Sequence, residues 1–381
     1  MCISTQVPTN KPTTLCQSFY TQSKIKNSLT FNNAFQTMGK HPPKVNIYFH
    51  VFNGKALAPT FLMSAMLSGE QQTKRMEHSE AGALDGYLER VQACNKGQEK
   101  RSEFLPFEVE GSMVGYVHHR LVERFIKFPY VFTLEKGDTQ SDGVGEEKLI
   151  LHRTLTLAAL RTKAVEGVLR VLRKDGIMPG ERSEVFSVVT SFGSRPLFDL
   201  DRAAVPYFGT KAYGVHMNGY VQIDGEKHLW VAKRSSDRQN FPGAFDHIVA
   251  GGQPAGLSCK ENLIKESDEE AAIPGWLAEK AVPVGAISYE QIEGERMKRD
   301  VLFCYDLELP PDFQPHNKDG EVESFELVPV HEVAELVRTS NAYKPNCSLV
   351  IINFLFRHGY IHPDQPKYLQ LLKSLCSGDC Q

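Results

Sequence analysis

The sequence predicts an α/β chain built as two domains in series: a smaller α+β domain, then a mixed sheet with helices on both faces. Three features of its 381 residues predict this. Strand-like alternation dominates from Tyr207 onward, where AYGVHMNGYVQI and KHLWVAKRS flank the hairpin signal Asp224–Gly225. Residues 104–190 mix short strand patterns with helical ones. Within the later region, a glycine-rich turn runs into a helix with clustered carboxylates.

Residues 1–95 read as a largely irregular leader. No Asp or Glu precedes Glu70 and no Arg precedes Arg75, while six lysines stand among many Ser, Thr, Asn and Gln residues. An acid-poor, hydroxyl-rich leader fits an organelle transit peptide, mitochondrial or plastid; the missing arginines fit a disordered cytosolic tail. Met76–Cys94 is expected to be helical, with Leu84, Leu88 and Val91 on one face.

The accessory α+β domain is expected over residues 100–200. FLPFEVEGSMVGYV reads as two strands turning at Glu110–Gly111, and HHRLVERFIKF as a helix burying Leu121, Phe125 and Phe128. Glu135–Lys148 is a polar loop. Thr162–Lys174 is an amphipathic helix with Val165, Val168, Leu169 and Leu172 inward, and Phe186–Thr190 is a strand. This domain offers no catalytic cluster of its own.

The larger domain spans residues 207–363. After the hairpin, DHIVAGG enters the glycine turn and Cys259–Ala271 forms the carboxylate helix. AVPVGAISYEQI, RDVLFCYDLEL and SFELVPV follow as strands, HEVAELVR as a helix and CSLVIINFLFRHG as a last apolar helix, which Asn346 would cap. Residues 364–381 are left as a polar tail.

Bulk properties exclude several classes. A net charge of −3 gives no support for a nucleic-acid partner. No run of about 18 apolar residues occurs, and the closest approach, Leu349–Phe356, is too short to cross a membrane. Eight scattered cysteines without a Cys-x-x-Cys pair read as free thiols in a reducing compartment, and Cys347 as packed. His216, His247 and His316 show no metal-ligand spacing and read as structural.

The segment GGQPAGLSCKENLIKESDEEAAI carries the chemistry. Glu266, Glu269 and Glu270 stand at i, i+3 and i+4, so a helix gathers them within a face about 100° wide. Like charges at that spacing repel, and a hard divalent cation would turn the repulsion into binding.

With Gly251 ahead of it, this helix resembles the box of the Nudix hydrolases, G-x5-E-x7-R-E-U-x-E-E-x-G-U, where U is bulky and apolar. Gly251, Glu266, Glu269, Glu270 and Ile273 match. Leu257, Lys265, Ser267 and Ala272 depart, standing where Glu, Arg, an apolar residue and Gly are usual. LWVAKRSSDRQNFPGAFDHIVAGG, VGAISYE, KRDVLFCYDLELP, DGEVESFELVPV and KPNCSLVIINFLFRHG extend the likeness to one Nudix branch with an N-terminal accessory domain. In fungi, relatives of this branch are fused to thiamine pyrophosphokinase. Plant and yeast relatives are associated with hydrolysis of thiamine diphosphate and its oxidised analogues, oxythiamine and oxothiamine diphosphate.

The resemblance implies a Nudix α/β/α sandwich and a Mg²⁺-dependent, or Mn²⁺-dependent, hydrolase acting on a small-molecule diphosphate, with a homodimer compatible. It implies Glu266, Glu269 and Glu270 as metal ligands, with Glu266 and Glu270 catalytic and Glu266 the first candidate base. Gly251 and Gly252 would let a metal–diphosphate approach the backbone. Arg234, Lys298 and Arg299 are candidates to pair with phosphate oxygens, the alternative for each being an ordinary surface charge. Glu323, with Glu321, lies where some members supply a further acid. Trp230 and Tyr289 could stack on a heterocycle or belong to the core. The rival readings are a nucleoside diphosphate derivative such as ADP-ribose as substrate, and a non-catalytic Nudix-fold binding module.

Overall fold

In the computed structural model, which describes residues 82–136, 147–182 and 184–379, the first element is helix α1 (Asp85–Cys94). FLPFEV and SMVGYVH then pair as strands β1 (Phe104–Val109) and β2 (Ser112–His118). Glu110 and Gly111 turn between them with φ of 52° and 78°, the left-handed pair that matches strand twist in a tight hairpin. Helix α2 (His119–Phe125) follows, then β3 (Phe132–Lys136), β4 (Glu147–Leu151) and helix α3 (Ala158–Lys174). Most of the expected polar loop between β3 and β4 lies outside the described residues. The sheet order is β2-β1-β4-β3, with β1 and β4 parallel.

The short strands β5 (Val185–Val188) and β6 (Phe198–Asp201) pair with each other, and the one-turn helix α4 (Val205–Phe208) leads out. One core holds these elements together. Phe125 stacks on Phe132 at 4.8 Å and on Phe208 at 4.9 Å, with Val165, Leu169 and Leu172 of α3 packed around them. Arg161 is buried in the same core, donating to the carbonyls of Leu155 and Leu197 at 2.7 and 2.8 Å and pairing with Glu110. A buried guanidinium survives because its donors are matched.

The second sheet is seven-stranded. Strands β7 (Lys211–Ile223) and β8 (Glu226–Arg234) form the hairpin around Asp224–Gly225; β9 (Phe245–Asp246) and β10 (Val249–Gly252) follow. Helix α5 (Cys259–Ala271) is the carboxylate helix and α6 (Gly275–Ala278) a single turn. Strands β11 (Val282–Glu293), β12 (Arg296–Glu308) and β13 (Val322–Pro329) complete the order β11-β12-β7-β8-β13, with β10 on β7 and β9 on β8. The β7–β12 pair is parallel and the others antiparallel, so the sheet is mixed as expected. Val215, Met217 and Leu307 on one face pack against Leu263 and Ala271 of α5.

The opposite face is covered by α7 (Val330–Thr339), α8 (Pro345–Arg357) and α1. Leu84, Leu88 and Val91 join that core, and α1 approaches α7 so closely that a Cβ on Gly86 would collide with the Arg338 carbonyl. The end of the chain packs there too: α9 (Tyr368–Ser374) buries Leu371, and Ser288 bridges to Cys376. Residues 364–379 are therefore a docked segment where polar composition had suggested a loose tail.

One local expectation changes, and one left open takes its core alternative. Helix α8 starts at Pro345, with Lys344 at the cap position, so Asn346 lies inside the first turn. Trp230 and Tyr289 are core residues, Tyr289 with its hydroxyl bonded to Asp300. Among the described residues no helix is long and apolar enough to cross a membrane.

Candidate active site

Helix α5 is defined at both ends. Ser258 accepts from the Glu261 backbone N–H at 3.2 Å while Glu261 accepts from the Ser258 N–H at 2.8 Å, a capping box. At the other end, Ala272 turns left-handed with φ 51°, so the usual glycine position keeps its conformation without its glycine. Leu257, at the usual Glu position, holds the turn through its carbonyl, which accepts from Gln253 at 2.6 Å. Ser267 is fully buried with its hydroxyl unpartnered, where an apolar side chain is usual.

The helix meets β10 along one row of side chains spaced by four. Asn262 donates to the Gly252 carbonyl at 2.8 Å. Glu266 lies on Gly251 so tightly that a Cβ there would fall within the Glu266 side chain. Glu270 accepts from the Ala250 N–H at 2.7 Å. Three successive helix turns thus read three successive backbone positions, which fixes Glu266 and Glu270 side by side against the glycine strand.

Glu269 falls off this row. Its carboxylate is exposed and paired with Lys265 at 2.8 Å; the same Lys265 reaches Glu266 at 3.1 Å. Asp268 faces away toward Lys318. Of the three carboxylates grouped by spacing, two converge and one lies on the neighbouring stripe.

Both converging acids sit at a cost. Burial pushes the Glu270 carboxyl up to about 8, with Asp246, Glu266 and Glu321 adding to the rise against the single Ala250 hydrogen bond. Burial also raises Glu266, opposed by Lys265 and assisted by Glu269 and Glu184. Behind them, burial works against the charge of Asp246, but Lys344, His247, Cys347 and Arg234 hold its carboxyl well below the ordinary range.

The other candidates separate. Arg234 is close to the site, bound to Asp246 at 2.8 Å and so supporting the acid cluster. Glu321 lies within the electrostatic reach of Glu270 and pairs with Arg238 at 2.6 Å. Glu323 instead points out to Lys233 at 3.0 Å. Lys298 is an exposed strand residue near Asp300. Arg299 is buried between the Gly209 carbonyl, Glu290 and Asp379, fastening the docked chain end. Neither is placed at the carboxylate helix: their partners are Asp300, Glu290, Asp379 and the Gly209 carbonyl, none of which belongs to α5 or β10.

Sequence spacing gave no hint of a second group. His216, His247 and Cys347 place ring nitrogens and sulfur within 4.8 Å of one another, all buried. His216 Nδ1 and His247 Nε2 have no hydrogen-bond partner, burial keeps both rings neutral, and the Cys347 thiol donates to Asp246 at 2.7 Å. Nitrogen and sulfur donors could hold a soft ion such as Zn²⁺; the hard oxygens of Glu266 and Glu270 are the set that fits Mg²⁺ or Mn²⁺. The group comes from three distant stretches of chain, so only the fold reveals it. Asp246, five residues before Gly251 in DHIVAGG, was legible in principle as an acid beside the turn.

Comparison with known proteins gives two family matches. A NUDIX domain matches residues 217–346, and a domain of unknown function, DUF4743, matches residues 86–212. The chain is 48% identical over 309 residues to Nudix hydrolase 20, chloroplastic, of Arabidopsis thaliana, covering 81% of this chain and 82% of that one. It is 46% identical over 324 residues to Nudix hydrolase 24, chloroplastic, of the same plant, covering 85% and 86%. An uncharacterized protein of Saccharomyces cerevisiae is 36% identical over 208 residues, 51% of this chain and 60% of that one.

Proposed function

The chain belongs to the Nudix hydrolases, enzymes acting on diphosphate bonds, and from that premise we propose that its substrate is thiamine diphosphate or an oxidised analogue, cleaved to the monophosphate and phosphate. The catalytic part of this reading is carried by one observation: Glu266 and Glu270 are buried together on Gly251 and Ala250 with too few donors to neutralise them. The substrate part rests on the likeness of the flanking segments to thiamine-associated relatives.

The donor set suits a hard divalent cation: two carboxylates raised in proton affinity by burial, Glu270 further by Asp246, Glu266 and Glu321, and Glu266 by Glu269 and Glu184. Glu266 and Glu270 would hold Mg²⁺ or Mn²⁺, with Glu269 able to join only by leaving Lys265. Bound there, the cation would neutralise adjacent phosphates and make a water more acidic. Glu266 is assigned as the base that takes the proton of the attacking water, its carboxylate being held against Gly251 beside Glu270. Lys265 fixes the Glu266 carboxylate from outside the row and is a positioning residue. Gly251 and Gly252, having no Cβ, make room for the Glu266 side chain and the Phe186 ring, which fixes Glu266 against the strand.

The test is a panel of thiamine diphosphate, oxythiamine diphosphate, oxothiamine diphosphate and ADP-ribose, each with Mg²⁺ and purified protein. Preference for a thiamine compound in kcat/KM supports the assignment; preference for ADP-ribose by orders of magnitude sinks it. The acid-poor leader and the chloroplastic relatives support a plastid location. Import of a residue 1–81 fusion to a fluorescent protein into plastids of a plant cell checks that.

A further inference from the structure

The glycine turn is covered on its outer side by the accessory domain. The Ala255 N–H donates to the Val185 carbonyl at 2.9 Å, tying the turn to the first residue of β5. Phe186 reaches Gly252: a Cβ there would lie 2.7 Å from Phe186 Cζ and 3.5 Å from Arg202 Cζ. Arg202, just after β6, stands over the Phe186 ring at 5.6 Å and donates through Nη1 to Glu184 at 2.6 Å. Arg182 on the same segment reaches Gln239, beyond β8, at 3.4 Å.

The catalytic domain's own cations around the turn are already engaged. Arg234 and Lys344 are bound to Asp246, Lys265 to Glu266 and Glu269, and Arg238 to Glu321. Arg202 is ion-paired too, to Glu184 through Nη1, but its side chain is 44% exposed and its guanidinium carbon stands 3.5 Å from where a Cβ on Gly252 would lie, so a planar five-donor fork with donors beyond that one bond is held beside the turn.

We propose that the accessory β5–β6 unit supplies the second half of the diphosphate subsite: Arg202 pairs with a phosphate oxygen of the substrate over Gly251–Gly252, and Glu184 holds the guanidinium in place. This rests on the hydrolase reading of Glu266 and Glu270. It also gives the accessory domain a task, since β5–β6 is what brings this guanidinium beside Gly252. A guanidinium suits a phosphate because two parallel N–H donors match two oxygens.

Arg202→Ala, Arg202→Lys and a control, Arg195→Ala, test this in the full chain. Arg195 is an accessory arginine paired with Glu110, apart from the turn. Two readouts are taken: calorimetric affinity for magnesium pyrophosphate, which has no organic part, and KM with kcat on the diphosphate the wild type hydrolyses best. Arg202→Ala should weaken pyrophosphate binding and raise KM by roughly 10-fold or more with kcat little changed, since a contact kept from ground state to transition state acts on binding. Arg202→Lys should recover part of the loss, and Arg195→Ala should match the wild type. If Arg202→Ala fails to fold, Arg202→Gln carries the same comparison.

Equal pyrophosphate affinity and KM in wild type and Arg202→Ala would overturn the proposal while leaving the hydrolase reading intact. A wild type that neither binds pyrophosphate nor cleaves any diphosphate removes the hydrolase reading, and the subsite falls with it.

Discussion

Glu270 carries the residue-scale consequence with the clearest sign. In the metal-free protein its carboxyl sits near 8, against an ordinary 4.5 in the unfolded chain. Between those values the folded state holds a proton that the unfolded state has released, so this group's contribution falls as pH rises from 4.5 to 8. The buried His216 and His247 act in the opposite sense below their ordinary 6.5, so the diagnostic quantity is the difference between wild type and Glu270→Gln. Metal-free Glu270→Gln should gain in Tm over the wild type as pH rises from 5 to 8, and Mg²⁺ should raise Tm in the wild type only. Gly251→Ala makes the complementary point: its Cβ displaces Glu266. We expect at least a ~100-fold loss of kcat/KM with an unchanged circular dichroism spectrum, since a misplaced catalytic group costs on that order.

At the scale of the element, helix α5 keeps its capping box and its polar row but ends on a left-handed alanine. Ala272→Gly should stabilise the protein by about 1 kcal/mol, because a left-handed L-residue costs on that order and glycine does not. A thermal melt reads this as a rise of a few degrees; no change would mean that the strain is relieved elsewhere. The same helix shows what was legible in the sequence. Glu266 and Glu270 differ by four and share a face, and the preceding glycines marked where the backbone is approached. Glu269 sits three positions from Glu266 and one from Glu270, within the same 100° sector by spacing alone. Only the position of β10 decides which edge of that sector is buried. The long strands β7, β8, β11 and β12 were visible from alternation and the Asp224–Gly225 turn. Of the two four-residue strands, β5 is legible as the strand read over Phe186–Thr190, while β6, Phe198–Asp201, carries too few periods to be read from the sequence.

For the whole molecule, the partition of the core sets the limits of any fragment. Leu84, Leu88 and Val91 from the start of the described chain, and Leu371 and Leu375 from its end, share one core with Ile287, Tyr289 and Leu349 of the larger sheet. We therefore predict that residues 207–363 alone will not fold to a soluble, cooperatively melting unit, whereas residues 82–381 will. Removing several fully buried leucines at ~2–5 kcal/mol each exceeds the stability of an ordinary domain. A sharp melt for the 207–363 fragment would contradict this. Arg202, Glu184 and the His216–His247–Cys347 group were illegible for one common reason: each is assembled across elements far apart in sequence. Lys298 and Arg299 misled for the converse reason, since a basic pair beside a strand carries no record of the partners waiting in the chain end.

The most direct test of the central claim is the rate of phosphate release from thiamine diphosphate under saturating Mg²⁺ by wild type, Glu266→Gln, Glu270→Gln and Glu269→Gln. Burial of only two carboxylates on the glycine strand predicts losses of roughly 100-fold or more for Glu266→Gln and Glu270→Gln, and a much smaller loss for Glu269→Gln. A wild-type rate retained by Glu266→Gln and Glu270→Gln would contradict the account.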